Sequence, residues 1–426
     1  MRRTVLLVTV LLVFIGGCLG QMENPRPTNN PSTSHPSDSY STLPTTKYDV
    51  LKEGQEKPVV NAINSFTFDL YKELAGNNNN VFFSPFSIET ALAMAYEGAR
   101  GKTAEEMKRV LHLPEDDDAR WTGFRYLLLS LKSPEGSPFI LRSVNALWVQ
   151  RGYSLREEYL GIVKEFYLGE AKEVDFQGNP AEAAREINEW VEEQTNGRIK
   201  DIVSGLSPLT RLVITNAVYF KANWSSRFRA SDTRNETFHA PNGTVIVPMM
   251  HQTGEFPYFE NDDLQALELP YEGERLGMLI ILPKEGKFEK VEGNLSAGSI
   301  ENILKNMREE KVKVALPKFR FEASYKLRDV LMDMGMKRAF LVPDFSGISN
   351  GENLAIEDVV HKSFISVAEN GTEAAAATAV TLTMNAPMQE KEPKIFKADH
   401  PFIFFIYDRE TGTILFMGRM MNPKDG

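Results

Sequence analysis

Apolar positions three and four residues apart mark the early part of the chain. Val60, Ile63, Phe66, Leu70 and Leu74 share one face at that spacing, which predicts a helix with one buried side. Ser84-Pro85-Phe86-Ser87 predicts a second helix, with proline near the first turn and Ile88, Leu92 and Ala95 along one face. A third is expected over 103–111, opened by a capping pattern at Thr103-Ala104-Glu105-Glu106. A fourth is expected over 187–194, closed by Asn196-Gly197. Later the pattern changes. Residues 212–220, 276–282, 312–319, 364–368, 402–407 and 413–419 are apolar or alternating runs rich in Val, Ile and Phe, which predict strands. One more helix is expected over 326–334. Helices early and strands late predict an α+β fold, and no repeat or linker divides Pro58 to Pro423.

One segment fits no single period. It reads Glu369-Asn370-Gly371-Thr372-Glu373-Ala374-Ala375-Ala376-Ala377-Thr378. Propensity alone makes the alanine block helical. Thr378, Val380, Thr381 and Thr383 then favour strand, and Pro387, Pro393 and the polar run 389–394 mark an exposed loop. At period two, Thr372, Ala374, Ala376, Thr378, Val380, Leu382 and Met384 fall on one small, apolar face. Glu373, Ala375, Ala377, Ala379, Thr381 and Thr383 fall on the other. Such a segment can be an Ala-rich surface helix, or a loop able to become a strand inside a sheet.

The N-terminus reads as an address. Arg2 and Arg3 precede an apolar stretch, Val5 to Ile15, too short for a comfortable membrane span. Ile15-Gly16-Gly17-Cys18 follows, so residues 1–20 read as a signal peptide with a lipobox-like site and Cys18 as the lipid-bearing residue. Residues 21–57 begin with a stretch rich in Pro, Ser, Thr and Asn that cannot bury enough surface to order itself. They read as a disordered tether to a domain over 58–426. The expected place is extracellular, secreted or anchored to the outer face of the cell membrane.

Composition excludes several classes. A net charge of −10 over 426 residues argues against a nucleic-acid partner. A single cysteine forbids an intrachain disulfide. Gly101-Lys102-Thr103 ends like a phosphate-binding loop, but Tyr96 stands where the first glycine must be. There is no Ser-x-x-Lys pair, and no two of the six histidines have metal-ligand spacing. No cofactor, metal or catalytic residue is expected. Sequons stand at Asn223, Asn235, Asn242, Asn294 and Asn370, and Asn370 is expected to be unmodified.

The segment from Gly371 to Thr378 resembles the reactive-loop hinge of the serpins, the serine protease inhibitors. Asp399-His400-Pro401-Phe402-Ile403-Phe404-Phe405-Ile406 resembles that family's near-C-terminal buried strand. Asn80-Val81-Phe82-Phe83-Ser84-Pro85-Phe86-Ser87-Ile88 looks like its early helix signature. Thr215-Asn216-Ala217-Val218-Tyr219-Phe220-Lys221-Ala222-Asn223-Trp224 looks like its central-sheet signature. Leu316-Pro317-Lys318-Phe319 and Gly418-Arg419 are similar to further motifs, so the resemblance covers about Pro58 to Pro423. Asn370 departs from the family, where an acidic residue is usual.

The resemblance implies a serpin fold, a multi-helix body on large mixed sheets with an exposed C-terminal loop, in a prokaryotic member acting as a monomer. It implies a suicide substrate for serine proteases and not an enzyme. Glu369, Gly371, Thr372, Glu373, Ala374 to Ala377 and Thr378 become the hinge. Ser84, Ser87, Asn216 and His361 become a polar cluster beneath a sheet that opens, with Trp224 at its upper end. Counting from Gly371 by the family's usual length puts the reactive bond at Asn385-Ala386, with Met384-Asn385 and Met388-Gln389 as alternatives. That stretch carries no Arg or Lys, which favours subtilisin-like or chymotrypsin-like targets over trypsin-like ones. The alternative within the family is a non-inhibitory member acting as a binding or chaperone-like surface protein.

Overall fold

The computed structural model describes residues 52–76, 78–134, 136–350, 354–372 and 392–425. Among them stand ten α-helices: α1 (Lys57–Leu74), α2 (Pro85–Gly98), α3 (Gly101–Val110), α4 (Asp117–Ser130), α5 (Glu157–Tyr167), α6 (Pro180–Gln194), α7 (Phe288–Gly293), α8 (Ala297–Asn306), α9 (Arg328–Asp333) and α10 (Arg338–Leu341).

Two sheets carry the strands. The central one runs β10 (Phe319–Lys326), β11 (Ile356–Ala368), β12 (Gly371–Thr372), β4 (Leu212–Asn223), β2 (Phe139–Gln150) and β3 (Glu170–Val174), and β11 also pairs directly with β4. The other runs β1 (Val81–Phe83), β15 (Ile414–Met420), β14 (Phe402–Asp408), β8 (Leu276–Pro283), β7 (Leu264–Pro270), β6 (Gly243–Glu260), β9 (Arg308–Pro317) and β13 (Lys394–Lys397), with β5 (Arg234–Ala240) beside β6.

Helix α2 lies between the sheets. Every residue from Pro85 to Gly98 except Tyr96 is buried, and a helix apolar all round has to sit in a core. Ser84 caps it, its hydroxyl accepting from Ser87 N–H at 3.2 Å, and Pro85 occupies the first turn, where no N–H is needed. The other face of the central sheet is covered by α6. There Ile187 and Val191 pack on Trp148, Val213 and Ala217.

The expected helices stand near 60–74, 85–98, 101–110 and 180–194, and Asn196 and Gly197 both take the positive φ of a helix end. Some readings need correction. Thr103 caps nothing: α3 starts at Gly101, and the Thr103 hydroxyl instead accepts from Asp344 N–H at 2.9 Å. Lys326 belongs to β10, so the helix expected at 326–334 is only α9. The run 312–319 is two strands, β9 and β10, parted at Lys318. The stretch Tyr96 to Thr103 is the α2–α3 turn, with no strand before it.

Candidate functional site

The central sheet has a seam. β4 and β11 run parallel and are paired from Leu212/Ile356 to Tyr219/Phe364. Above that they part, and β12 enters between them, antiparallel to both. Gly371 faces Asn223 and Ala368, and Thr372 faces Ala222 and Val367. Glycine is required here by space, since a Cβ at Gly371 would lie 2.1 Å from the Ala222 carbonyl oxygen. Thr372 is 1% exposed and its hydroxyl meets the Tyr271 hydroxyl at 2.7 Å.

The turn that feeds β12 is held from several sides. Trp224 donates its indole N–H to Ala368 O at 2.9 Å and its backbone N–H to Asn370 O at 2.9 Å. Its ring stacks on Tyr271, 4.6 Å between centroids. Phe228 N–H donates to Glu369 O at 2.9 Å. The Glu369 carboxylate takes Lys318 Nζ at 2.8 Å and the Thr233 hydroxyl at 2.9 Å. Burial pushes that carboxyl up, and Lys318 and Thr233 outweigh it, so the group stays below the usual range.

Below the wedge, a polar row crosses four strands. Tyr325, His361, Asn216 and Asn145 stand side by side on β10, β11, β4 and β2. His361 donates from Nδ1 to Asn216 Oδ1, and Asn216 donates from Nδ2 to Asn145 Oδ1 and Ser87 Oγ. The other imidazole nitrogen, Nε2, accepts from Ser84 N–H at 3.2 Å. Ser84 Oγ donates to Leu415 O at 2.6 Å, and Ser87 Oγ meets Ser143 Oγ at 2.6 Å. The first turn of α2 therefore clips both sides of the seam, β11 through Ser84 and β4 with β2 through Ser87.

Burial lowers the His361 pKa to about 3, so the ring is neutral and its tautomer is set by these partners. His361 lies inside β11, not three residues ahead of a strand as the apolar run 364–368 implies. Its neighbours Val359 and Val360 extend the strand, and the charged residues around them conceal it in sequence.

The structure thus brings together Ser84, Ser87, Asn216 and His361 in one cluster, and Trp224, Glu369, Gly371 and Thr372 at the wedge. Cys18, Glu373, Ala374, Ala375, Ala376, Ala377, Thr378, Met384, Asn385, Ala386, Met388 and Gln389 lie outside the described residues. Sequence reasoning missed Asn145, Ser143, Tyr271, Lys318 and Thr233. The first two leave a trace, because Arg142, Ser143 and Asn145 interrupt an otherwise apolar run over 139–149. Lys318 stands in the run Leu316-Pro317-Lys318-Phe319 without its role showing there, and Tyr271 and Thr233 leave no trace. Among the described residues no group of His, Cys, Asp or Glu could hold a metal ion, and no helix is long and apolar enough to cross a membrane.

The family model described as Serpin (serine protease inhibitor) matches residues 61–423. A serpin-like protein from Methanosarcina mazei is 39% identical over 375 residues, covering 86% of this chain and 88% of its own. The leukocyte elastase inhibitor of Equus caballus is 38% identical over 374 residues, covering 84% and 97%. Among solved structures, Serpin48 of the insect Tenebrio molitor aligns with a TM-score of 0.76 at 38% identity, covering 87% of this chain and 99% of that one.

Proposed function

This chain belongs to the serpin family, and we propose that it inhibits serine proteases of subtilisin-like or chymotrypsin-like type as a suicide substrate. The observation that carries the reading is the two-residue β12, already seated between β4 and β11 and antiparallel to both. A protease serine attacks the carbonyl before the reactive bond, Asn385-Ala386 or one of its alternatives. The new amine leaves and an ester joins the two proteins. The freed strand then continues the wedge downward, which is strand addition.

In the proposed inserted state, the register of Gly371 and Thr372 carried onward would bring Ala374 between Phe220 and Ile365, and Ala376 between Val218 and Ser363. Thr378 then falls between Asn216 and His361. That is the one hydrogen bond of the polar row that spans the seam and must break on opening. A buried polar group left without a partner costs about 1–3 kcal/mol. A hydroxyl both donates and accepts, so Thr378 can take the His361 N–H and give to the Asn216 oxygen. In that proposed state the small face expected from the sequence would be the one turned to α2.

Insertion also exchanges one parallel pairing for two antiparallel ones, and antiparallel pairs are somewhat more stable per residue. The fourteen residues from Thr372 to Asn385 span about 45–50 Å at ~3.4 Å each. A protease esterified to their end is carried that far, and its serine is drawn from the oxyanion hole. Loss of oxyanion stabilisation slows deacylation by about 10²–10³.

Incubation with subtilisin and with chymotrypsin, followed by intact-mass analysis, tests the reading. The expected product is a covalent complex lacking the C-terminal peptide that begins at the cut. Clean cleavage with no complex would instead select a non-inhibitory member. The place of action is outside the cell, with Cys18 as the anchor. Cys18→Ser should move the protein from the membrane fraction to the medium, and unchanged partitioning would dismiss the lipid.

A further inference from the structure

The fold treats the five Asn-x-Ser/Thr triplets of the chain unequally. At Asn223 the middle residue, Trp224, is buried, and the Ser225 hydroxyl donates to Tyr271 O at 2.9 Å. At Asn370 both following residues, Gly371 and Thr372, are buried in β12. At Asn294 the middle residue, Leu295, is buried, and the Ser296 hydroxyl caps α8 by accepting from Ser299 N–H at 3.2 Å. At Asn235 the middle residue, Glu236, is pinned by Arg234 at 2.7 Å and by Lys397 at 3.2 Å. Drawing any of these four out as an extended acceptor breaks packed structure.

Asn242-Gly243-Thr244 is the opposite case. Pro241 and Asn242 make the two-residue turn between β5 and β6, closed by the pair Ala240 and Gly243. Asn242, Gly243 and Thr244 are all exposed. Among the described residues, neither the Asn242 amide nor the Thr244 hydroxyl has a hydrogen-bond partner. Gly243 stands at φ 128°, a backbone open to glycine, and a Cβ there would meet nothing within 4 Å. An exposed turn tip of small and polar residues leaves its pairing at little cost, which is what an enzyme that must seize the backbone requires.

The surface beside the turn has an unusual composition. Ile246 is two residues beyond Thr244 on β6, so it shares that face, and it is 53% exposed. Pro248 continues the same face and is exposed too. An apolar strip therefore runs through water from the turn.

We propose that Asn242 is the N-glycosylation site of this chain and that its oligosaccharide lies over Ile246. The donor class is an oligosaccharide carried on a polyisoprenyl phosphate. Asn242 Nδ2 forms a bond to the sugar C1, and the bond from C1 to the phosphate oxygen breaks. The phosphate leaves with the electron pair, and the amide proton passes to a base of the transferase. The free Thr244 hydroxyl is the group by which such a transferase reads its acceptor. Ile246 lies about 13 Å along the strand from Asn242 at ~3.3 Å per residue, a span that a short oligosaccharide covers. The transfer rests on the reading that the chain is exported.

Peptide mapping and intact mass of the full chain, isolated from the cell that makes it, test the site. The peptide holding Asn242 should carry a mass increment of several sugars. Asn242→Gln and Thr244→Ala should each lose the increment, Thr244→Ser should keep it, and Asn294→Gln should leave it unchanged. A bare Asn242 in a chain whose leader has been removed overturns the proposal and leaves export standing. A bare Asn242 in a chain that keeps its leader overturns both. An increment that survives Asn242→Gln places the sugar on another triplet and overturns the assignment. Light scattering on heating should begin at a lower temperature in Asn242→Gln, and Ile246→Thr added to that variant should restore the parent onset. An unchanged onset in Asn242→Gln overturns the placing of the sugar over Ile246.

Discussion

The His361 imidazole is held in one tautomer and one charge state. Both nitrogens are engaged, Nδ1 by Asn216 and Nε2 by Ser84, and the residue has no exposed surface. Its pKa of about 3 lies below the ordinary histidine value of about 6.5. The folded chain therefore binds fewer protons than the unfolded one across that window. Stability from this group is complete above about pH 6.5 and is lost as pH falls toward 3, by up to ~1.4 kcal/mol per pH unit. Urea midpoints measured from pH 4 to 7 should slope upward in the parent. His361→Gln should flatten that slope by the share of one proton. An unchanged slope would mean that the ring is not buried neutral. Ser84, Ser87 and Asn216 are legible through the motifs that contain them and His361 only through the position the resemblance implies, while Asn145 is an ordinary asparagine until its register with Asn216 is known.

At the scale of elements, β12 shows how little chain is needed to start an opening. Thr372 occupies a space shared with Tyr271 and closed by β4 and β11. Thr372→Arg would force a cation into it at a cost of several kcal/mol. This variant should be cleaved as a substrate, and a gel should show no stable complex. Equal inhibition by parent and variant would remove strand insertion from the mechanism. Thr378→Val makes a subtler change, keeping shape and losing the hydroxyl. It should raise the number of inhibitor molecules consumed per protease by a fewfold, and no change would displace Thr378 from the row. The long apolar strands β4, β8, β14 and β15 were legible because both their faces are buried. β2 was not, because its polar residues serve the seam and break the pattern. β5, β6 and β7 were missed too, since β5 and β6 alternate irregularly between buried and exposed positions. Of the hinge face expected at period two, Thr372 alone lies among the described residues, and it is buried; α2 was legible from its cap and its proline.

On the scale of the whole molecule, the sheet is paired across its seam and yet carries the start of another strand. On the proposed mechanism the direct pairing of β4 with β11 gives way to an inserted strand, and the intact fold stores free energy that this insertion would release. Loop-cleaved protein should melt well above the intact form in calorimetry. Equal melting temperatures would favour the binding or chaperone-like alternative. The α+β class and the family were readable from separated motifs in the right order. The closed seam was not, because parallel pairing of β4 with β11 joins residues about 145 positions apart, as in His361 with Asn216.

Trp224 gives the molecule an optical clock. Of the four tryptophans, Trp121 stacks on Phe166 and Trp148 meets Trp190 edge-on, each away from the wedge. Trp224 alone among the four is stacked on Tyr271 and bonded to the Ala368 carbonyl at the point of entry. An advancing strand must disturb the surroundings of that indole before it reaches anything deeper. Its emission should therefore shift at the first step of the transition, in unlabelled protein, and the delay between that flash of change and the later locking of the ester would time the passage of the strand.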